Sequence, residues 1–344
     1  MTTAILTDTR HAAHTDPAHV ERAERLFAIQ EALDDNGLLP NLIHLAPTPP
    51  ANDILELVHT RRLLQELERL ADWGGGRIDS DTYMTAESWE AATLSAGAAV
   101  QAVTAVVRGE VSNAFALMRP PGHHATPTRA MGFCLLNNIA IAARYAIEVL
   151  KIKRVAIVDY DVHHGNGTQD SFYNDDKVLF CSVHSDWLYP GTGFINEYGS
   201  GSAEGTTLNV PLPHGVGDQG YKQVFDELIL PAVKRFRPEL ILVSAGFDAH
   251  RRDPLGTQRL STMGYAQITR MLYDTATEIC DGQLVLTLEG GYDLQALSEC
   301  SIAATKVLLG HQVDATAPAS KHPEPDIRNV INMLQRNHPL LREA

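Results

Sequence analysis

The chain has 344 residues, 44% of them apolar and 20% charged, and a formal net charge of −14. That acidic balance argues against a direct grip on nucleic acid, which needs Lys and Arg to neutralise phosphates, and suits either a soluble surface or a cationic substrate such as a Lys-rich tail or a polyamine. No window approaches the ~18 apolar residues of a membrane span, the N-terminus lacks the basic and apolar regions of a secretory signal, and Cys134, Cys181, Cys280 and Cys300 form no Cys-x-x-Cys pair, so the expectation is a cytoplasmic protein with reduced, buried thiols and no membrane contact.

In chain order, an Ala-rich helix is predicted over 86–107, stopping at Gly109, and a buried strand over 113–118. A helix over 135–150 follows a Gly-Phe-Cys turn. Strands are predicted over 154–158 and 178–183. The Gly-, Pro- and Ser-rich segment 185–220 is too long for a simple connector and reads as an ordered functional loop. A helix over 221–236 precedes Pro238, then come a strand at 240–244, an amphipathic helix at 264–280 and a strand at 284–288. Residues 312–326 read as a polar linker to a terminal helix, 327–335, that docks back. Short β-branched runs alternating with helices specify a doubly wound α/β fold with a parallel sheet covered on both faces. Residues 1–344 read as one domain, with a core at about 10–310 and 311–344 as linker and docking helix.

Four predicted strands run into polar clusters, and in open parallel sheets sites form beyond the carboxyl ends of strands. The strand at 113–118 leads into Arg119-Pro120-Pro121-Gly122-His123-His124. The strand at 154–158 leads into Asp159-Tyr160-Asp161-Val162-His163-His164-Gly165-Asn166-Gly167. Alternation in an extended chain would put Asp159, Asp161 and His163 on one face, a costly grouping without a cation or partner. Asp161 and His163 make a metal pair, and Asp159 suits an acid that orients a histidine. Asp248 of Ala245-Gly246-Phe247-Asp248-Ala249-His250 is the natural third ligand, although a lone Asp after a strand is more often a helix cap. In Leu288-Glu289-Gly290-Gly291-Tyr292-Asp293, two glycines allow close backbone approach and Tyr292 supplies a hydroxyl.

Three protein ligands leave a coordination position for water, as at a catalytic zinc. Such an ion acidifies water and polarises a carbonyl. A nearby histidine can act as base and then acid, and a tyrosine hydroxyl can donate to a developing oxyanion. These parts fit amide hydrolysis, and no Gly-x-Ser-x-Gly elbow offers a covalent route.

The four clusters together, in this order, resemble the histone deacetylase superfamily, in particular its class II-like bacterial members and deacetylase-like amidohydrolases. The resemblance covers about residues 10–310. It implies the arginase–deacetylase fold, with a central parallel sheet of about eight strands. It also implies a zinc ion on Asp161, His163 and Asp248, with Fe²⁺ open because such a ligand set accepts both. By position, His124 would be the general base and acid, His123 its electrostatic neighbour oriented by Asp159, and Asn166 the neutral partner of His124 where class I relatives carry Asp. Tyr292 would polarise the scissile carbonyl. Gly132, Phe133, Tyr189, Leu255 and Asp81 would contact substrate. A structural potassium ion would sit near Asp159, Asp161, His163, Ser182 and Val183, and a second ion near Phe172 and Val178. A homo-oligomer, dimer or tetramer, is left open.

The expected reaction is removal of an acetyl or other acyl group from an acyl-lysine side chain in a peptide or protein. A small acylated amine such as an acetylpolyamine is the near alternative. Leu255 stands where one polyamine-selective branch of the family has Glu, which leans toward lysine. A binuclear manganese ureohydrolase would need Asp at positions 165 and 250, where this chain has Gly165 and His250. A silent acyl-lysine binder or sensor would be expected to lack a ligand, the base or the tyrosine, and all are retained.

Overall fold

The computed structural model describes residues 2–312 and 323–342. An eight-stranded sheet, wholly parallel, organises the chain. Its strands are β1 (Thr3–Leu6), β2 (Leu42–Leu45), β5 (Asn113–Ala116), β6 (Val155–Asp159), β7 (Val178–Ser185), β8 (Thr207–Leu212), β9 (Leu240–Ala245) and β10 (Leu284–Leu288). They lie in the order β2-β1-β5-β10-β9-β6-β7-β8. A small antiparallel pair, β3 (Gly75–Arg77) and β4 (Tyr83–Thr85), stands apart. The five strands legible in the sequence are all present. β1, β2 and β8 are additions, and β8 lies inside the segment 185–220 that read as loop.

Strand alternation explains the continuous apolar runs. In β6, Ala156 and Val158 enter one core while Val155 and Ile157 enter the core on the opposite face. In β9, Ile241 and Val243 oppose Leu240 and Leu242 in the same way. Each such fully buried aliphatic side chain stabilises the fold by ~1.5–3 kcal/mol. Helices Thr262–Ile279 and Leu294–Leu308 cover one face, and Ser88–Val107 and Asn138–Glu148 the other.

Helix Ser88–Val107 corrects one sequence expectation, because by length and composition it does reach the apolarity of a membrane span. Here 78% of that apolar window is buried inside the protein. Small residues suit it to close packing: a side chain at Gly97 would strike the backbone of Thr48. The predicted helix 221–236 is also interrupted. It begins at Asp218, passes through a π-helical turn at Phe225–Ile229 and ends at Phe236.

The terminal helix Arg328–Asn337 buries Ile331 and Leu334 against the core. Of the predicted linker, residues 313–322 lie outside the described residues. The four cysteines are unpaired and buried.

Candidate metal centre and cavity

The four polar clusters lie on four neighbouring strands, β5-β10-β9-β6, at the centre of the sheet. Strand order brings together residues as far apart as 123 and 292. All strands are parallel, so every cluster emerges at the same carboxyl edge.

β6 ends at Asp159, so the regular alternation expected through 163 stops there. Beyond it the chain turns on its own carboxylates: Asp159 Oδ1 accepts from the Asp161 N–H at 3.1 Å, and Asp161 Oδ1 from the His163 N–H at 2.9 Å. The side chains divide as a result. Asp159 faces away to His123, with Oδ2 2.9 Å from Nδ1. Asp161 and His163 face Asp248, and His163 Nδ1 lies 3.0 and 3.1 Å from their carboxylates. One donor atom from each of Asp161, His163 and Asp248 lies within 4.8 Å of the others.

This set fits a divalent ion. Its three members are buried, and the remaining carboxylate oxygens are held by the Gly290 N–H (2.8 Å, to Asp161) and the Val162 N–H (2.8 Å, to Asp248). Neighbouring glycines leave the space the carboxylates occupy: a Cβ at Gly246 would fall on Asp161, and one at Gly290 on Asp248. Burial, with the charge of Asp161 beside it, pushes the Asp248 carboxyl up to about 7. Two converging buried carboxylates need a cation to ionise together.

The two adjacent histidines are set oppositely. Burial opposes charge on His123, but Asp159 and Asp161 outweigh it and hold its pKa at about 10. His124 is held well below the usual imidazole range by burial and by the nearby His123 and His163. Its Nδ1 lies 2.8 Å from the side-chain oxygen of Asn166.

A cavity of about 260 Å³ opens onto this floor. Its lining includes His123, His124, His163, Gly290 and Tyr292, together with Asp81, Gly132, Phe133, Leu188, Tyr189 and Leu255. Gly132 and Phe133 are the centre of a two-residue turn closed by reciprocal Met131–Cys134 hydrogen bonds of 3.0 Å, with φ of 57° and 66°. That double positive φ is the hairpin type in which glycine is favoured at both positions. A Cβ at Gly132 would meet the His124 ring at 2.5 Å. Phe133 is pinned by its N–H to Thr82 Oγ1 (3.1 Å), next to Asp81. Its ring stands edge-on to Tyr292, centroids 5.8 Å apart. Burial raises the Tyr292 hydroxyl well above its usual pKa.

Ser182 pairs in register with Asp159 across β6 and β7 and is fully buried, as is Val183 beside it. Phe172 ends the helix Asn166–Phe172, and Val178 begins β7.

Several residues around the site had no assigned part in the sequence reading. Glu21, just before helix Glu24–Asp35, gathers Arg25 on that helix and Arg119 into a buried network. Glu21 accepts from Arg119 at 2.5 and 2.6 Å and from Arg25 at 3.0 Å. Arg25 also donates to the Glu289 and Gly291 carbonyls (2.5 and 2.7 Å) and stacks 4.9 Å from the Tyr292 ring. The Glu289 carboxylate accepts from the Gly122 and His123 N–H groups at 2.7 and 3.1 Å, fixing the two-histidine turn. Nothing in a lone Glu beside a helix or strand, or a lone Arg on a charged helix, signals such burial.

Fold and site together define an α/β protein with a buried Asp/His/Asp centre beneath a narrow cavity. The histone deacetylase domain matches residues 19–308, and the chain belongs to that family. It is 42% identical over 320 residues to a probable deacetylase of Archaeoglobus fulgidus, covering 92% of this chain and 88% of the relative. It is 42% identical to a histone deacetylase-like amidohydrolase of Pseudomonas aeruginosa, over 85% of this chain and 77% of the relative. The crystal structure of the HDA15 HD domain superposes with a TM-score of 0.90 at 38% identity, covering 99% of this chain and 96% of that one.

Proposed function

We propose that the protein is a zinc-dependent deacylase that hydrolyses the amide of acyl-lysine side chains, acetyl-lysine above all. The observation that supports this most is the placement of a neutral His124 and a protonated Tyr292 in one narrow cavity above Asp161, His163 and Asp248. The three residues would hold the ion, which when bound supplies Lewis acidity toward water and a carbonyl oxygen.

The chain's own groups account for the rest. Donation from His124 Nδ1–H to Asn166 leaves Nε2 as the basic nitrogen. It takes a proton from the attacking water and returns it to the departing amine nitrogen, and the acid's remaining proton also passes to that amine, so the amide and water become a carboxylate and an ammonium. His123, charged and fixed by Asp159, adds positive potential beside the developing negative charge. Tyr292 keeps its proton at neutral pH and donates to the carbonyl oxygen as charge grows there, a contribution of roughly 3 kcal/mol for one such donor. Phe133, Tyr189 and Leu255 give the apolar walls that suit the four-carbon stem of a lysine, with Gly132 leaving room beside His124 and Asp81 available to the substrate backbone. A potassium ion at Asp159, Asp161, His163, Ser182 and Val183 would brace the end of β6 against β7, a reading supported by the burial and register of Asp159 and Ser182.

The test is kcat/KM on acetyl-lysine peptides, trifluoroacetyl-lysine peptides and acetylpolyamines. Preference for the peptides is expected. Preference for polyamines would move the assignment to small acylated amines, and binding without turnover of any of them would make the protein an acyl-lysine binder.

A further inference from the structure

Tyr292 stands just after Gly290-Gly291, and Gly291 has φ of 115°, a backbone region essentially reserved for glycine. Such a pair is a poor anchor for a side chain that must hold one position. The anchoring comes from elsewhere. Asp253, 8% exposed, divides its carboxylate between two loops. Oδ2 accepts from the Tyr292 N–H at 2.6 Å and the Asp293 N–H at 3.3 Å, while Oδ1 accepts from the Leu255 N–H at 2.9 Å. Arg252 reinforces the junction through ion pairs to Asp293 (3.3 Å) and Glu299 (3.2 Å). Both clasped residues, Leu255 and Tyr292, line the cavity.

We propose that Asp253 is a positioning residue: its carboxylate clasps the main chain of Tyr292 below the glycine pair and ties it to the loop that presents Leu255 to the substrate. Hydrogen bonds from backbone N–H groups to an ionised carboxylate are about twice as strong as neutral ones. The clasp therefore fixes the angle at which the hydroxyl approaches the scissile carbonyl. It also makes that loop and the tyrosine one body, so a substrate seated against Leu255 meets a hydroxyl already in place. The inference rests on the proposed role of Tyr292 as oxyanion donor.

The experiment combines amide hydrogen exchange with a double-mutant cycle on the zinc-loaded protein. In Asp253→Asn, exchange at the Tyr292 and Asp293 amides should rise at least about tenfold while β10 stays protected. Turnover of an acetyl-lysine peptide should lose between about 10- and 100-fold in kcat with KM within about threefold, as expected when a catalytic group is misplaced. In a Tyr292→Phe background the same change should cost less than about threefold, because its partner in the effect is gone. Asp253→Glu, which keeps the buried charge but shifts the oxygens, gives a second reading of both measurements should the Asn variant fold poorly, and is expected to lose less. Unchanged exchange at Tyr292, or equal loss of turnover in both backgrounds, would overturn the clasp. Full turnover by Tyr292→Phe alone would instead remove the oxyanion role, and the exchange rates would still decide whether Asp253 holds that backbone.

Discussion

His124 Nδ1 lies 2.8 Å from the side-chain oxygen of Asn166, a partner without charge. His123, its neighbour in the chain, has a carboxylate at 2.9 Å in the same place. The two adjacent imidazoles hold opposite protonation states: the carboxylates beside His123 outweigh burial and keep it charged, while burial and the neighbouring His123 and His163 keep His124 neutral, with no carboxylate partner to reverse them.

Asn166→Asp tests that difference. A base must be neutral to work, so activity falls as pH drops through its pKa. A carboxylate at Asn166 stabilises the imidazolium and raises that pKa. The acid limb of the kcat/KM profile should then move upward by roughly 1–3 pH units. An unmoved acid limb would show that His124 is not the group being read.

Metal affinity should follow a predictable pH course. Without an ion, burial and Asp161 hold the Asp248 proton up to about 7, while Asp161 and Asp248 overcome burial to hold the His163 proton up to about 10. An incoming ion displaces both, so zinc binding must tighten as pH rises. For Asp248 the raised carboxyl pKa means that the metal-free fold loses stability as pH climbs from the ordinary carboxylate range to about 7, and the ion restores it. Melting curves of chelator-treated protein should show a larger zinc-induced rise in Tm at pH 8 than at pH 6. Equal shifts at both would show that protons and ion do not compete there.

Gly246→Ala places a methyl on the Asp161 carboxylate. The variant should fold, because the clash is local, yet bind less than one zinc per chain by elemental analysis. Full zinc content would place the ion elsewhere.

Glu21 is the only carboxylate shown accepting from both Arg25 and Arg119 side chains among the described residues. Glu21→Gln leaves the two buried guanidiniums of Arg25 and Arg119 without their carboxylate and should cost about 3–5 kcal/mol in chemical denaturation. Despite its burial, Glu21 is held well below the usual carboxylate range by those guanidiniums. Its stabilisation is present at neutral pH and is lost as pH falls through that depressed pKa, so the variant should show a weaker dependence of stability on acid than the native chain.

The strands that carry the site were legible because each is a short, mostly apolar run leading into polar residues, β-branched in β6, β9 and β10 and built of Ala, Phe, Leu and Met at 113–118. β1 and β2, four residues each, lead into none of the four clusters, and β2 leaves Ile43 and His44 exposed. β8 begins in Gly- and Ser-rich surroundings, and its register with β7 supplies the order that composition withholds. Ligand candidates were legible because Asp161, His163 and Asp248 are costly types at strand ends. Glu289 stood in a quoted cluster without a part, and Asp253 two residues before Leu255 was given none, because each acts through backbone N–H groups brought to it by the fold, which leave no side-chain pattern. Arg25 and Glu21 required the tertiary contact itself. The neighbourhood β5-β10-β9-β6 follows from crossover connections that no single strand encodes.

On the function proposed above, acyl-lysine hydrolysis depends on an ion held by Asp161, His163 and Asp248. The most direct measurement is acetate release from an acetyl-lysine peptide by purified protein, before chelation, after it, and after one equivalent of zinc is returned. Release should fall to background on chelation and recover with zinc in the native chain but not in Asp248→Asn. Undiminished release from protein shown to be metal-free would contradict it.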